Sequence, residues 1–193
     1  MTTPTATPPS APPAVLAPST AVLDFWRAAG PYKWFVKDDA FDAAFADRFL
    51  ADHEAVAQRT DSSWLADAST ALSLVLLLDQ FPRNVFRNSP RSFATDARAQ
   101  SIADQALAEH HDQRVAVELR VFFYLPFSHA EDIRLQDRAV GLARPIGGET
   151  LKLAEVHRDI IRRFGRFPHR NEFLGRTSSA EELEFLAQGG FAG

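Results

Sequence analysis

The chain has 193 residues, 46% of them hydrophobic, with a net charge of −4 and no cysteine. That length suits a domain with a substantial core, and the missing cysteine excludes disulfides, thiolate metal sites and cysteine nucleophiles. The acidic balance argues against a dedicated nucleic-acid binder, which would present a broad basic face.

Met1 to Pro18 holds six of the twelve prolines among threonine, serine and alanine, a composition that neither sustains a helix nor buries much surface. Residues 1–18 therefore read as a disordered tail and 19–193 as a single all-helical domain. The start lacks the basic residues and apolar run of a secretory signal, and no later stretch is long and apolar enough to span a bilayer. The expectation is a cytoplasmic protein without membrane contact.

From Thr20, Val22, Leu23, Phe25 and Trp26 mark a short helix closed by Gly30-Pro31, with a loop after it. Asp38 or Asp39 then caps a helix whose Phe41, Phe45 and Phe49 form one stripe. Asp61 to Asp67 reads as a turn containing Trp64, and Ser69 or Thr70 as the start of the next helix. There, seven of the eight residues from Ala71 to Leu78 are apolar, so this helix must be enclosed on every side. Phe81-Pro82 is expected to stop it. That leaves Asp79 at the negative end of a helix dipole, where it needs a cation: Arg83, or an arginine from elsewhere.

Thr95 reads as the N-cap of a helix from Asp96 to about Glu109. Arg114 to Leu125 is rich in Val, Leu and Phe and is ended or kinked by Pro126. Ser128 with Glu131 has the spacing of a capping box for a helix to about Ala143. On the helix from Glu149 to Phe164, the spacing puts Leu153, His157, Ile160, Ile161 and Phe164 on one face, with His157 in an apolar seam. Ser179 and Glu182 cap a last short helix. About eight helices and no strand predict an all-α array of antiparallel helices around a central apolar helix. Phe81-Pro82-Arg83-Asn84 and Phe167-Pro168-His169-Arg170-Asn171 echo each other and suggest two helix ends shaped alike.

Taken together, VLDFW at 22–26, KWFVKDDAFD at 33–42, LLLDQFPRNVFR at 76–87, FATDARA at 93–99, FFYLPFSHAED at 122–132 and HRDIIRRFGRFPHRN at 157–171 resemble the bacterial family catalogued as domain of unknown function 924. The resemblance covers nearly everything after the tail. It implies a TPR-like helical fold and brings no activity with it. Carried over residue by residue, the family's polar signature falls on Lys33, Trp34, Asp79, Gln80, Arg83, Asn84, His129, Glu131, His157, Arg158, Arg166, His169, Arg170 and Asn171. Ser128 and Ala130 depart from the acidic residue and serine expected beside His129.

These polar residues sit mostly at helix ends, where rigid rods can hold them over a common cleft. Arginines among aromatic neighbours suit a small anionic ligand or an acidic peptide end, gripped by Arg83, Arg166 or Arg170. The ligand-binding candidates are Lys33, Trp34, Asp79, Arg83, Asn84, His129, Arg158, Arg166, His169, Arg170 and Asn171. A small hydrolase or lyase is the alternative, with His129, His157, Asp79 and Glu131 as catalytic candidates. A third reading makes the same residues a structural network locking helix ends together. His129 and Asp132 are spaced to share an ion, yet no HExxH or paired ExxH pattern accompanies them, so neither a metal nor a cofactor is expected. The arginines from Arg158 to Arg176 are interspersed with Asp159 and Glu172 and with fixed turns at Gly165 and Pro168, which speaks against nucleic acid.

Overall fold

The computed structural model of the chain describes residues 20–58 and 65–191; the expected tail and Trp64 lie outside them. The described residues form helices and turns, with no strand among them. In chain order these are α1 (Ala21–Trp34), α2 (Asp39–Ala57), α3 (Ala68–Val75), a π-helical turn (Leu76–Gln80), α4 (Phe81–Val85), α5 (Asp96–Ala108), α6 (Val121–Ser128), α7 (Ile133–Ala143), α8 (Gly148–Phe164) and α9 (Ala180–Ala187). None of these helices is long and apolar enough to cross a membrane.

The apolar run is the axis of the core: Leu72 and Leu74 through Leu78 are at most 1% exposed. α1 supplies Val22, Leu23 and Trp26 to its enclosure, α2 supplies Phe41, Phe45 and Phe49, α5 supplies Ala99 and Ala103, and α6 supplies Phe122 and Phe123. Each fully buried leucine contributes roughly 1.5–3 kcal/mol. Outside this cluster, Val140 and Ala143 of α7 meet Ala154 of α8, while Leu153, on the expected buried face of α8, is 36% exposed.

Two prolines behave differently from the sequence expectation. Gly30 (φ 77°, ψ 167°) does break α1, because the residue before a proline is kept out of helical geometry; Pro31 then restarts a final turn to Trp34, whose indole donates to the Trp26 carbonyl at 2.7 Å. Pro82, by contrast, does not stop its helix. The backbone widens into the π turn, where the Phe81 N–H reaches the Leu76 carbonyl five residues back. Pro82 has no N–H to give, and the Leu77 and Leu78 carbonyls are met by side chains: His53 Nδ1–H at 2.8 Å and Thr95 Oγ1–H at 2.5 Å. Helix geometry then resumes through Val85.

Recruited in this way, Thr95 leaves α5 without a side-chain cap. Asp67, rather than Ser69 or Thr70, caps α3 by accepting the N–H groups of both. Asp132 caps α7, so Ser128 and Glu131 form no capping box; Ser128 is the last residue of α6, which runs straight through Pro126. Ser179 and Glu182 do form one at α9. The two FP segments are not shaped alike: Phe81 is helical (φ −52°, ψ −53°), whereas Phe167 is extended (φ −89°, ψ 110°) ahead of a 3-10 turn, Pro168–Arg170.

Thr95→Val keeps the shape of the side chain and deprives the buried Leu78 carbonyl of its donor. The expected loss is about 1–3 kcal/mol, a fall in Tm of roughly 5 °C for a chain of this size, read by thermal denaturation. An unchanged Tm would mean that the hydroxyl does not support the π turn.

Candidate functional site

The π turn places Asp79 at zero exposure and still gives its carboxylate three donors. Oδ1 accepts from His129 Nδ1 at 2.8 Å and lies 3.2 Å from an Arg83 nitrogen, while Oδ2 accepts from Gln80 at 2.6 Å. Burial alone would raise the Asp79 pKa; Arg83, His129 and Gln80 outweigh it and hold it at about 2. A carboxylate only accepts, so His129 must donate through Nδ1. Burial and Arg83 lower the His129 pKa against the pull of Asp79, which keeps the ring neutral near pH 7 and leaves Nε2 as a lone-pair acceptor.

His129 follows the last residue of α6, and the turn that carries it is pinned from below. Gln136, fully buried on α7, donates to the carbonyls of Ser128 and Ala130 at 2.7 Å each. Arg83 is held equally firmly: its guanidinium forks onto Asp96 at 2.8 and 3.0 Å and also donates to the Asp79 carbonyl at 2.9 Å.

The turn bearing Arg170 approaches from the far end of the chain. Glu131 accepts the Phe167 N–H at 2.8 Å and two nitrogens of Arg176 at 2.6 and 2.9 Å, which fixes Phe167. Arg170, 6% exposed, then lies between the Phe93 and Phe167 rings, 4.6 and 4.4 Å from their centroids. Its ion-pair partner is Asp96 at 3.6 Å, already forked by Arg83, and its Nε has no hydrogen-bond partner among the described residues. Burial and Arg83 pull Arg170 down to about 10, so it remains a cation at neutral pH.

His157 of α8 completes the floor. It is 3% exposed, its ring lies 6.2 Å from that of His129, and Phe167 and Phe191 meet it edge-on at 5.5 and 4.5 Å. Neither ring nitrogen has a protein partner among the described residues. Burial, with His129 and Arg170 nearby, pushes its pKa down to about 3; burial and Arg170 bring His169 to about 4. His129, His157, His169, Arg83, Asn84 and Arg170 all line one cavity of about 600 Å³, walled by Phe93, Phe167, Phe173 and Phe191 and rimmed by Lys37 and Arg87.

The other candidates are engaged elsewhere. Lys33 pairs with Asp38 at 2.9 Å near the surface, Trp34 packs in the core, and Arg158 contacts Asp159 at 3.1 Å. Arg166 forks onto Glu182 at 2.6 and 2.8 Å, and Asn171 donates to Ser178 and Glu182. Glu131 is consumed by Phe167 and Arg176. Asp96, Phe93, Gln136, Arg176 and Phe191 escaped sequence reasoning. Only Asp96 carried a signal, as an acid at a helix start, and that position is ordinarily explained by the dipole. No grouping of three His, Asp or Glu that could hold a metal occurs among the described residues.

Since His157 and His169 stay neutral when folded while unfolded histidine titrates near 6.5, the unfolded chain takes up protons first on acidification. Stability is complete above about pH 6.5 and drops as pH falls toward 4 and then 3, by on the order of a few kcal/mol; Asp79 adds a loss only below about pH 3.8. Urea denaturation across pH 7 to 4 checks this, and His157→Phe should flatten the slope. A wild-type midpoint independent of pH would contradict the burial of neutral imidazoles.

Comparison with known proteins agrees with this architecture. A solved structure titled "Structure of Protein of Unknown Function ATU0120 from Agrobacterium tumefaciens" is 55% identical, with a TM-score of 0.85 over 88% of this chain and 96% of that one. No curated protein matches. The family model described as bacterial protein of unknown function (DUF924) matches residues 22–190, and the chain belongs to that family.

Proposed function

We propose that the cavity binds a small organic anion, a carboxylate or phosphate, on Arg170. The observation that carries this is the state of that guanidinium: buried between two aromatic rings, with Nε unpartnered and its counter-ion shared with Arg83. Arg83, Arg166 and Arg176 each fork two nitrogens onto a carboxylate, that of Asp96, Glu182 and Glu131, whereas Arg170 meets Asp96 only at 3.6 Å, which leaves it bidentate capacity for a ligand. The aromatic walls lower the local dielectric and strengthen the pair. In this proposal the protein works in the cytoplasm as a TPR-like helical binding module, and an acidic peptide end would enter by the same contact.

Inorganic phosphate, sulfate and short carboxylates should each raise Tm, by about 2.7 kcal/mol of added stability at a hundred times Kd, and Arg170→Met should abolish the response. A Tm unmoved by any of these anions contradicts the proposal.

Acid–base catalysis in the same cavity is favoured by one contact, Asp79 to His129 Nδ1 at 2.8 Å. It resembles the orienting pair of a catalytic triad, in which a buried carboxylate fixes the tautomer and leaves Nε2 to move a proton. Proton NMR of bound anions over prolonged incubation tests it. Turnover by the wild type that His129→Gln removes is the expected result; anions recovered intact argue for binding alone.

A further inference from the structure

Resting on the anion site just proposed, the donors and acceptors of two of its imidazoles, His129 and His157, define what else the ligand must carry. His129 has committed Nδ1–H to Asp79, so Nε2 can only accept. His157, 97% buried within the cavity wall, offers one N–H and one lone pair, and neither has a protein partner among the described residues. An unmet buried polar group is costly to a fold, and replacing this ring by a hydrocarbon would remove that burden. His129 and His157 thus bring two acceptors and one donor to the cavity wall, near Arg170.

A bare carboxylate or phosphate answers only part of this set. Its oxygens accept from Arg170 and from the His157 N–H, but they donate to neither lone pair. An ammonium would donate, yet it has no lone pair for the His157 N–H, and it would lie near Arg170 and Arg83. A hydroxyl donates and accepts at once and carries no charge. His157 and Arg170 are both seated on the Phe167 ring, at 5.5 and 4.4 Å, so a single small molecule reaches both. We propose that the cavity is built for hydroxylated acids, in which an anionic group on Arg170 is joined by a short carbon chain to a hydroxyl lying between His157 and His129.

Three acids of one skeleton separate the alternatives: malate with a hydroxyl, aspartate with an ammonium, and succinate with neither. Calorimetric titration of the full chain should give malate a Kd about tenfold or more below those of succinate and aspartate, the worth of one hydrogen bond. Glycerol 3-phosphate against propyl phosphate repeats the comparison and tells a phosphate source from a carboxylate one; a hydroxyl preference in either series supports the proposal. His157→Phe, or His157→Leu should the larger ring not be accommodated, should bring the ratio of hydroxylated to plain acid toward one while raising thermal stability. Equal affinities within both series would overturn the hydroxyl assignment and leave the anion site standing, as would a ratio that survives both His157 variants. Absence of binding by all five acids would overturn the anion site itself.

Discussion

One buried carboxylate organises this molecule. Asp79 lies at the end of a rod of leucines with no access to water, where an unpaired charge would be intolerable. It remains ionised because Arg83, His129 and Gln80 converge on it. Removing Arg83 would leave that charge uncompensated in the core, so the carboxylate and its cation depend on each other. The π turn makes the convergence attainable: the wider helix segment carries Asp79 and Gln80 just before Phe81-Pro82, and side chains from α2 and the start of α5 satisfy the carbonyls that the proline leaves open. π turns of this kind are frequent at functional sites.

Around that carboxylate, the structural and ligand-binding interpretations divide by residue rather than compete. Glu131 with Arg176, and Arg166 with Glu182, are carboxylate–guanidinium pairs in which fork meets fork, and Asn171 joins the second; they hold the C-terminal turn in place. Arg170 and the two central histidines are what that framework leaves open toward the cavity. The same division links fold to chemistry, because the clamp that fixes Phe167 also sets the aromatic slot for Arg170 and one wall of His157.

Much of the helical framework was legible in the sequence, since it follows from periodicity. The phenylalanine stripe of α2 and the enclosed leucine run needed only spacing and hydrophobicity. The helix stop at Pro82 was misread because its rescue comes from His53 and Thr95, 29 residues before and 13 after, which no local pattern reveals. Ser128 and Glu131 had capping-box spacing, yet Glu131 is drawn 36 and 45 residues away to Phe167 and Arg176, and Asp132 takes the cap. For the cavity, polar residues at helix ends were the right place to look, and Asp79, Arg83, His129, His157, His169 and Arg170 come together there. Residue type did not tell an arginine bound by acid from one left open, because the acids Asp96, Glu131 and Glu182 arrive from separate helices and turns.

The central claim is that Asp79 fixes His129 as a neutral imidazole with its proton on Nδ1 and its lone pair turned to the cavity. Nitrogen-15 chemical shifts and couplings of the His129 ring, followed by NMR from pH 8 to 5, measure that state directly. A single Nδ1–H tautomer still predominant at pH 6.5, where histidine in water is half charged, is the result expected from the Asp79 contact and the burial of the ring. A proton resident on Nε2, or a ring that charges near pH 6.5 like histidine in water, would contradict it.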